Sequence, residues 1–160
     1  MKHYLFYGHG GAYNHGSEAS LICGIKLLRE LSPGCRITVS SHFPEQDIEF
    51  NLPADEIIGR DLKGKTNEEI YKATIDRITP DTVCISAGGD NYCYNNWERY
   101  ATIHKAALKK GAKDILPCFN EDGLGAIVNS SRGILYTHMS DEERAVCTRN
   151  EYLVSVKKAA

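Results

Sequence analysis

The sequence predicts a three-layer α/β fold built on an open, mostly parallel sheet. Three observations predict it. Short apolar or β-branched runs alternate with longer segments whose apolar residues recur every three to four positions. Glycine-rich turns follow two of those runs directly, around Gly8 and around Gly88. The 160 residues, 42% hydrophobic and 25% charged, have the composition of one ordinary globular domain with a core of its own.

Each element follows from its residues. Tyr4-Leu5-Phe6-Tyr7 reads as a short buried strand. Leu21, Ile22, Ile25, Leu28 and Leu31 recur at helical spacing, so a helix is expected from about Ser17 to Leu31, ended by Pro33-Gly34. Arg36-Ile37-Thr38-Val39-Ser40 has the β-branched content of a second strand, which closes a βαβ unit and implies parallel pairing. Residues 41–65 are less regular, broken at Pro44 and Pro53, with Ile57-Ile58 as a short strand. Thr66-Asn67-Glu68-Glu69 matches a capping box, and a helix is expected from there to about Ile78.

Thr82-Val83-Cys84-Ile85-Ser86 is a further strand, running into Ala87-Gly88-Gly89-Asp90-Asn91-Tyr92. Trp97 to Lys110 reads as a helix with Tyr100, Ile103, Ala107 and Leu108 on its buried side, stopped by Gly111. Lys109, Lys110 and Lys113 read as its solvated end, and Asp114-Ile115-Leu116-Pro117 as another strand. The last segment has two readings. Ser140-Asp141-Glu142-Glu143 fits a capping box, and Ala145-Val146-Cys147-Thr148 fits a strand before a helix from Asn150 to Lys158.

Charge and patterning narrow the function. Nineteen basic against 21 acidic residues give a net charge of -2, which disfavours a surface made to neutralise nucleic acid. No apolar stretch approaches the roughly 20 residues of a transmembrane helix, and the start lacks the apolar segment of an export signal. A soluble, cytoplasmic chain is expected. The six cysteines form no Cys-x-x-Cys pair, so free thiols are expected and a zinc site is not.

The two glycine loops hold the candidate site. Gly8, Gly10, Gly11 and Gly16 let the chain turn tightly at a strand end, before a helix whose first amides can meet an anion. Their spacing fits neither a dinucleotide fingerprint nor a phosphate-binding loop ending in Gly-Lys-Ser/Thr, and no cofactor is expected. Glu18 either complements the helix end or touches a ligand. Asn14 either bonds a ligand hydroxyl or takes a left-handed turn position. His9 and His15 lack the carboxylate surround of a metal site, so no metal is expected.

In the second loop, after Gly88 and Gly89, Asp90 and Asn91 can hold sugar hydroxyls and Tyr92 or Tyr94 an aromatic face; alternatively, the loop merely turns and packs, with Trp97 in an aromatic cluster. Both loops leave strand ends, so they should share one rim of the sheet. No ordered set of nucleophile, base and acid stands out.

Together the loops resemble those of the polysaccharide pyruvyl transferase family. The segment Gly8-His9-Gly10-Gly11-Ala12-Tyr13-Asn14-His15-Gly16-Ser17-Glu18-Ala19 is similar to that family's Gly-x-x-Gly-x-x-Asn-x-Gly-Asp-Glu-Ala, with Ser17 in place of the acidic residue. Ile85-Ser86-Ala87-Gly88-Gly89-Asp90-Asn91-Tyr92 is similar to its central Gly-Gly-Asp loop. The run from Lys109 to Leu116 resembles its helix-to-strand passage, and Cys147-Thr148-Arg149-Asn150-Glu151 a later strand ending. Pro117-Cys118-Phe119-Asn120-Glu121-Asp122-Gly123 departs from the family's usual loop there.

The resemblance implies the N-terminal, acceptor-side half of a two-domain, glycosyltransferase B-type enzyme with a Rossmann-like domain. Such enzymes form a pyruvate ketal on a sugar from phosphoenolpyruvate, and their second domain supplies much of the donor site. It implies a glycan acceptor held by Asn14, Glu18, Asp90, Asn91, Tyr92 and Arg149, and phosphoenolpyruvate only with a C-terminal domain that these residues do not include. On that expectation the 160 residues alone are inactive. Two other readings stand beside it: a non-catalytic sugar-binding or interaction domain, and a small α/β protein that binds a phosphorylated metabolite.

Overall fold

Alternate side chains of the first strand leave no wet face, and that decides where everything else goes. The computed structural model describes residues 1–88, 91, 95 and 97–115, all within one of the chain's two compact units, Met1–Ile127. Strand β1 (His3–His9) is buried from Tyr4 onward. Leu5 and Tyr7 point to one side of the sheet, into a cluster with Tyr71, Ile78, Cys84, Tyr100, Ile103 and Ala107. Tyr4 and Phe6 point to the other, against Leu21, Ile25, Ile37, Val39 and Leu52. Each such side chain contributes about 1.5–3 kcal/mol by leaving water.

Helix α1 (His15–Leu31) covers the second face through Leu21 and Ile25. Leu31, expected on the same stripe, is instead 72% exposed at the last residue of the helix. Strand β2 (Arg36–Ser41) follows, then α2 (Pro44–Glu49) and β3 (Glu56–Ile58). The segment with α2 was expected to be irregular. Pro44 starts a helix there instead of breaking one, since a first-turn residue has no intrahelical use for the missing N–H.

The capping box forms as expected. Thr66 Oγ1 accepts from Glu69 N–H at 3.2 Å, and Glu69 Oε2 accepts from Thr66 N–H at 3.2 Å. The single helix expected after it is two short ones, α3 (Asn67–Ile70) and α4 (Lys72–Asp76), parted at Tyr71. Tyr71 sits in the core, 1% exposed, and the break goes with that placement.

Strand β4 (Thr82–Ser86), helix α5 (Glu98–Lys109) and strand β5 (Lys113–Ile115) complete the described chain. Helix α5 buries Tyr100, Ile103 and Ala107, while Leu108 is 58% exposed and off the stripe. Lys110 is not part of a solvated end: its ammonium donates to the carbonyls of Ile75 (2.6 Å) and Ile78 (3.2 Å), tying α5 to the end of α4. Leu116, Pro117 and the readings from residue 123 onward lie outside the described residues. So do Cys93, Cys118 and Cys147, while Cys23, Cys35 and Cys84 are free thiols.

The strand order is β3-β2-β1-β4-β5, every pairing parallel, with helices on both faces. This is a generic Rossmann-like sheet. Among the described residues no helix is long and apolar enough to cross a membrane.

Gly8 ends the central strand at φ +77, and a Cβ there would collide with the Asn91 side chain. Gly8→Ala is therefore expected to cost about 2–4 kcal/mol, read as a lowered urea midpoint. Gly10→Ala is the control: nothing lies within 4 Å of its Cβ position, and it should change stability by no more than about 0.5 kcal/mol.

Candidate functional site

Parallel strands bring their carboxyl ends to one edge, and the order reverses at β1. Chains leaving β1 and β4 therefore part there and open a crevice between adjacent strands. His9 O accepts from His42 N–H at 2.9 Å and Tyr7 O from Ala87 N–H at 2.8 Å, so the loops after β1, β2 and β4 start from one rim. The two glycine loops thus start from one rim, as expected from the sequence, while Asp90 in the second lies outside the described residues.

Asn91 holds that rim from inside. It is 4% exposed; with Oδ1 accepting from Gly88 N–H (3.1 Å) and Ser86 Oγ (2.8 Å), Nδ2 donates to Gly8 O (3.2 Å) and Tyr100 Oη (3.3 Å). The structure thus turns Asn91 into the sheet, as a clamp. Asn14 does not adopt a left-handed turn: it is the N-cap of α1 at φ -86, and its Oδ1 accepts from Ser17 N–H at 3.2 Å. Glu18, in the first turn of α1, lies 3.1 Å from His15 Nδ1. Gly11 takes φ +91, close against Phe43 and Gln46, while Gly10 and Gly16 keep ordinary backbone and Gly88 gives way to Asn91 as Gly8 does. Trp97 is 46% exposed and not in a buried cluster. Gly89, Asp90, Tyr92, Tyr94 and Arg149 lie outside the described residues.

The same edge collects residues that sequence reasoning passed over. His42 follows β2, Arg60 follows β3 after Gly59, Tyr71 separates α3 from α4, and Arg99 and Tyr100 open α5. His42 Nε2 lies 3.3 Å from the Tyr71 hydroxyl and 3.5 Å from that of Tyr100, and its ring stacks on Tyr100. Arg60 donates to His42 O at 3.4 Å, and the Arg99 guanidinium carbon sits 4.7 Å from the Tyr100 ring centroid. Burial first, and then the charges of Arg60, Arg99 and His9, press His42 down to about 4. His42 is neutral at pH 7. Burial pushes the Tyr71 hydroxyl up, against the pull of the two arginines.

Among the described residues no carboxylate pairs with these cations. On the opposite edge, Glu56 pairs with Arg36 (3.1 Å) and Arg77 (2.7 Å), and Asp55 with Arg29 (3.1 Å). The Ile37 amide and after it Arg29 hold the Asp55 carboxyl below its usual range, and Arg77 with Arg36 does the same for Glu56. Among the described residues neither Arg60 nor Arg99 has such a partner, and the Nε of each is buried without an acceptor. One signal in the sequence pointed here: an arginine directly after the Gly that ends a short strand.

A second buried group lies at the end of β1, where His9 bridges Asp47 of α2 and Ser17 of α1. The described residues hold no group of three His, Cys, Asp or Glu side chains suited to a metal ion. No protein-family model, curated protein or solved structure matches the chain. Fold and edge define a small α/β domain with buried polar residues capable of ligand binding.

The lowered pKa of His42 has a stability consequence with a definite sign. The unfolded chain takes up this proton near pH 6.5 and the folded one only near 4, so stability is full above about 6.5 and falls as pH drops through that window. With the solvent-facing part of the ring discounted, the loss is on the order of 1 kcal/mol. Urea unfolding at pH 7.5 and 5.0 should show it in the native chain and not in His42→Gln.

Proposed function

We propose that this chain binds a small metabolite bearing a phosphate or carboxylate at the carboxyl edge of its sheet. The observation that carries the reading is the pair Arg60 and Arg99, set around His42 with no ion-pair partner among the described residues and with both Nε groups buried and unmet. An unmet buried donor costs about 1–3 kcal/mol, and a multi-oxygen anion satisfies both residues at once. Guanidinium forks suit phosphate and carboxylate oxygens better than a point charge does. Neutral His42 and the Tyr71 hydroxyl add hydrogen-bonding capacity without adding charge.

The resemblance supplies a second reading, which the same arginine pair favours, because phosphoenolpyruvate carries both a carboxylate and a phosphate. On it the sheet is one half of a glycosyltransferase B-type enzyme. The glycine loops face a sugar acceptor, and pyruvate transfer requires a second domain.

Calorimetric titration with sulfate, inorganic phosphate, phosphoenolpyruvate and galactose tests the proposal. The three anions should bind, and Arg60→Gln or Arg99→Gln should each weaken them about ten- to hundredfold, the value of a lost charge-assisted hydrogen bond. Sulfate has no protonation change between pH 5 and 8, so tighter sulfate binding at the lower pH, with proton uptake, reports His42 gaining charge beside the anion. Binding of galactose alone, indifferent to both arginines, overturns the reading in favour of a sugar-binding domain. Phosphoenolpyruvate bound at least about tenfold more tightly than sulfate and phosphate, together with galactose binding, selects the second.

A further inference from the structure

The residues at the end of β1 carry an inference that does not depend on the anion site. We propose that Ser17 is an activated nucleophile, its hydroxyl polarised by His9 and His9 positioned by Asp47, and that it accepts the acyl group of a small carboxylic ester.

The geometry has three parts. His9 and Asp47 are both 0% exposed, with His9 Nε2 3.0 Å from Asp47 Oδ1. A carboxylate accepts only, so Nε2 carries the hydrogen and Nδ1 presents a bare lone pair. Ser17 Oγ lies 3.0 Å from that Nδ1, and in the tautomer that the carboxylate selects it is the donor. A serine hydroxyl within hydrogen-bond reach of an imidazole nitrogen, with the ring oriented by a buried carboxylate, is the arrangement that general-base activation requires.

Two further observations separate this group from a mere buried tie. Asp47 Oδ2 is buried with no hydrogen-bond partner, a cost that a purely structural link has no reason to carry. Ser17 is itself partly exposed, in the first turn of the 17-residue helix α1. The neighbouring amides of His15 and Gly16 have no acceptor within the helix, and the positive end of the helix dipole favours an oxyanion beside them. Beside Ser17 in the first turn, His15 and Glu18 pair with each other at 3.1 Å.

The chemistry balances with water alone. Ser17 Oγ adds to the ester carbonyl carbon as its proton passes to His9 Nδ1. The carbon–oxygen bond to the alcohol then breaks, and His9 returns the proton to the departing oxygen. Water, deprotonated by His9, cleaves the acyl-serine to the acid and restores Ser17. Asp47 is a positioning residue throughout.

A fluorophosphonate probe reads the nucleophile directly. The full chain should gain one adduct, mapped to Ser17 by peptide mass and absent in Ser17→Ala. Asp47→Asn should slow its formation about 100-fold or more while circular dichroism stays unchanged, and should switch the His9 tautomer in nitrogen NMR shifts. If Asp47→Asn does not fold, Ser17→Cys decides. Its alkylation by iodoacetamide should turn on at least one pH unit below the free-thiol value of about 8.5. No adduct on Ser17 of the folded chain overturns the proposal, as does an unchanged rate in folded Asp47→Asn or an ordinary thiol profile in Ser17→Cys.

Discussion

Backbone hydrogen bonding at the end of β1 is the constraint on which the rest of the molecule depends. A central parallel strand covered on both faces cannot send its last amides and carbonyls to water, so neighbouring loops have to satisfy them. Asn91 does this for Gly8 and Gly88, and the His42 amide does it for His9. Gly8 permits it because only a residue without Cβ lets the Asn91 amide approach so closely. With these bonds in place, the chains leaving β1, β2 and β4 begin from fixed points on one rim.

Charge is then distributed unequally between the two edges of the sheet. At the amino edge, Asp55 and Glu56 neutralise three arginines in exposed pairs of the kind that contribute little to stability. At the carboxyl edge, Arg60 and Arg99 lie half-buried with no such pairing among the described residues, and burial, reinforced by their field, keeps His42 neutral. Partial burial makes the second arrangement the costlier, since a low-dielectric surround weakens solvation while a like-charged neighbour adds repulsion. An anion relieves both terms together. The His9–Ser17–Asp47 group shares this edge but has a different character: a closed, buried relay with a single partly exposed end.

Much of the scaffold was legible from local pattern. The strands around Leu5, Val39 and Cys84, the amphipathic stripe of α1 at Leu21 and Ile25, the Thr66 capping box and the stop at Gly111 all express periods and caps that adjacent residues define. Parallel pairing followed from the long crossover between the first two strands. By the same logic the glycine loops fell on one rim.

Contacts between segments distant in the chain were not legible, because no spacing rule encodes them. Pro44 reads as a breaker until the helix it opens is seen to carry Asp47 beneath His9, 38 residues away. Asn91 reads as a rim residue, and only packing turns it inward. Lys110 reads as solvated until its ammonium meets two carbonyls at the end of α4. The sequence by itself determined the class of sheet, the order of elements and the edge from which the two glycine loops start, since these follow from hydrophobic period and chain connectivity. Tertiary structure alone decided which polar groups meet there, because strand order 3-2-1-4-5 brings together residues from five separate segments whose charges have no local reason to be near one another.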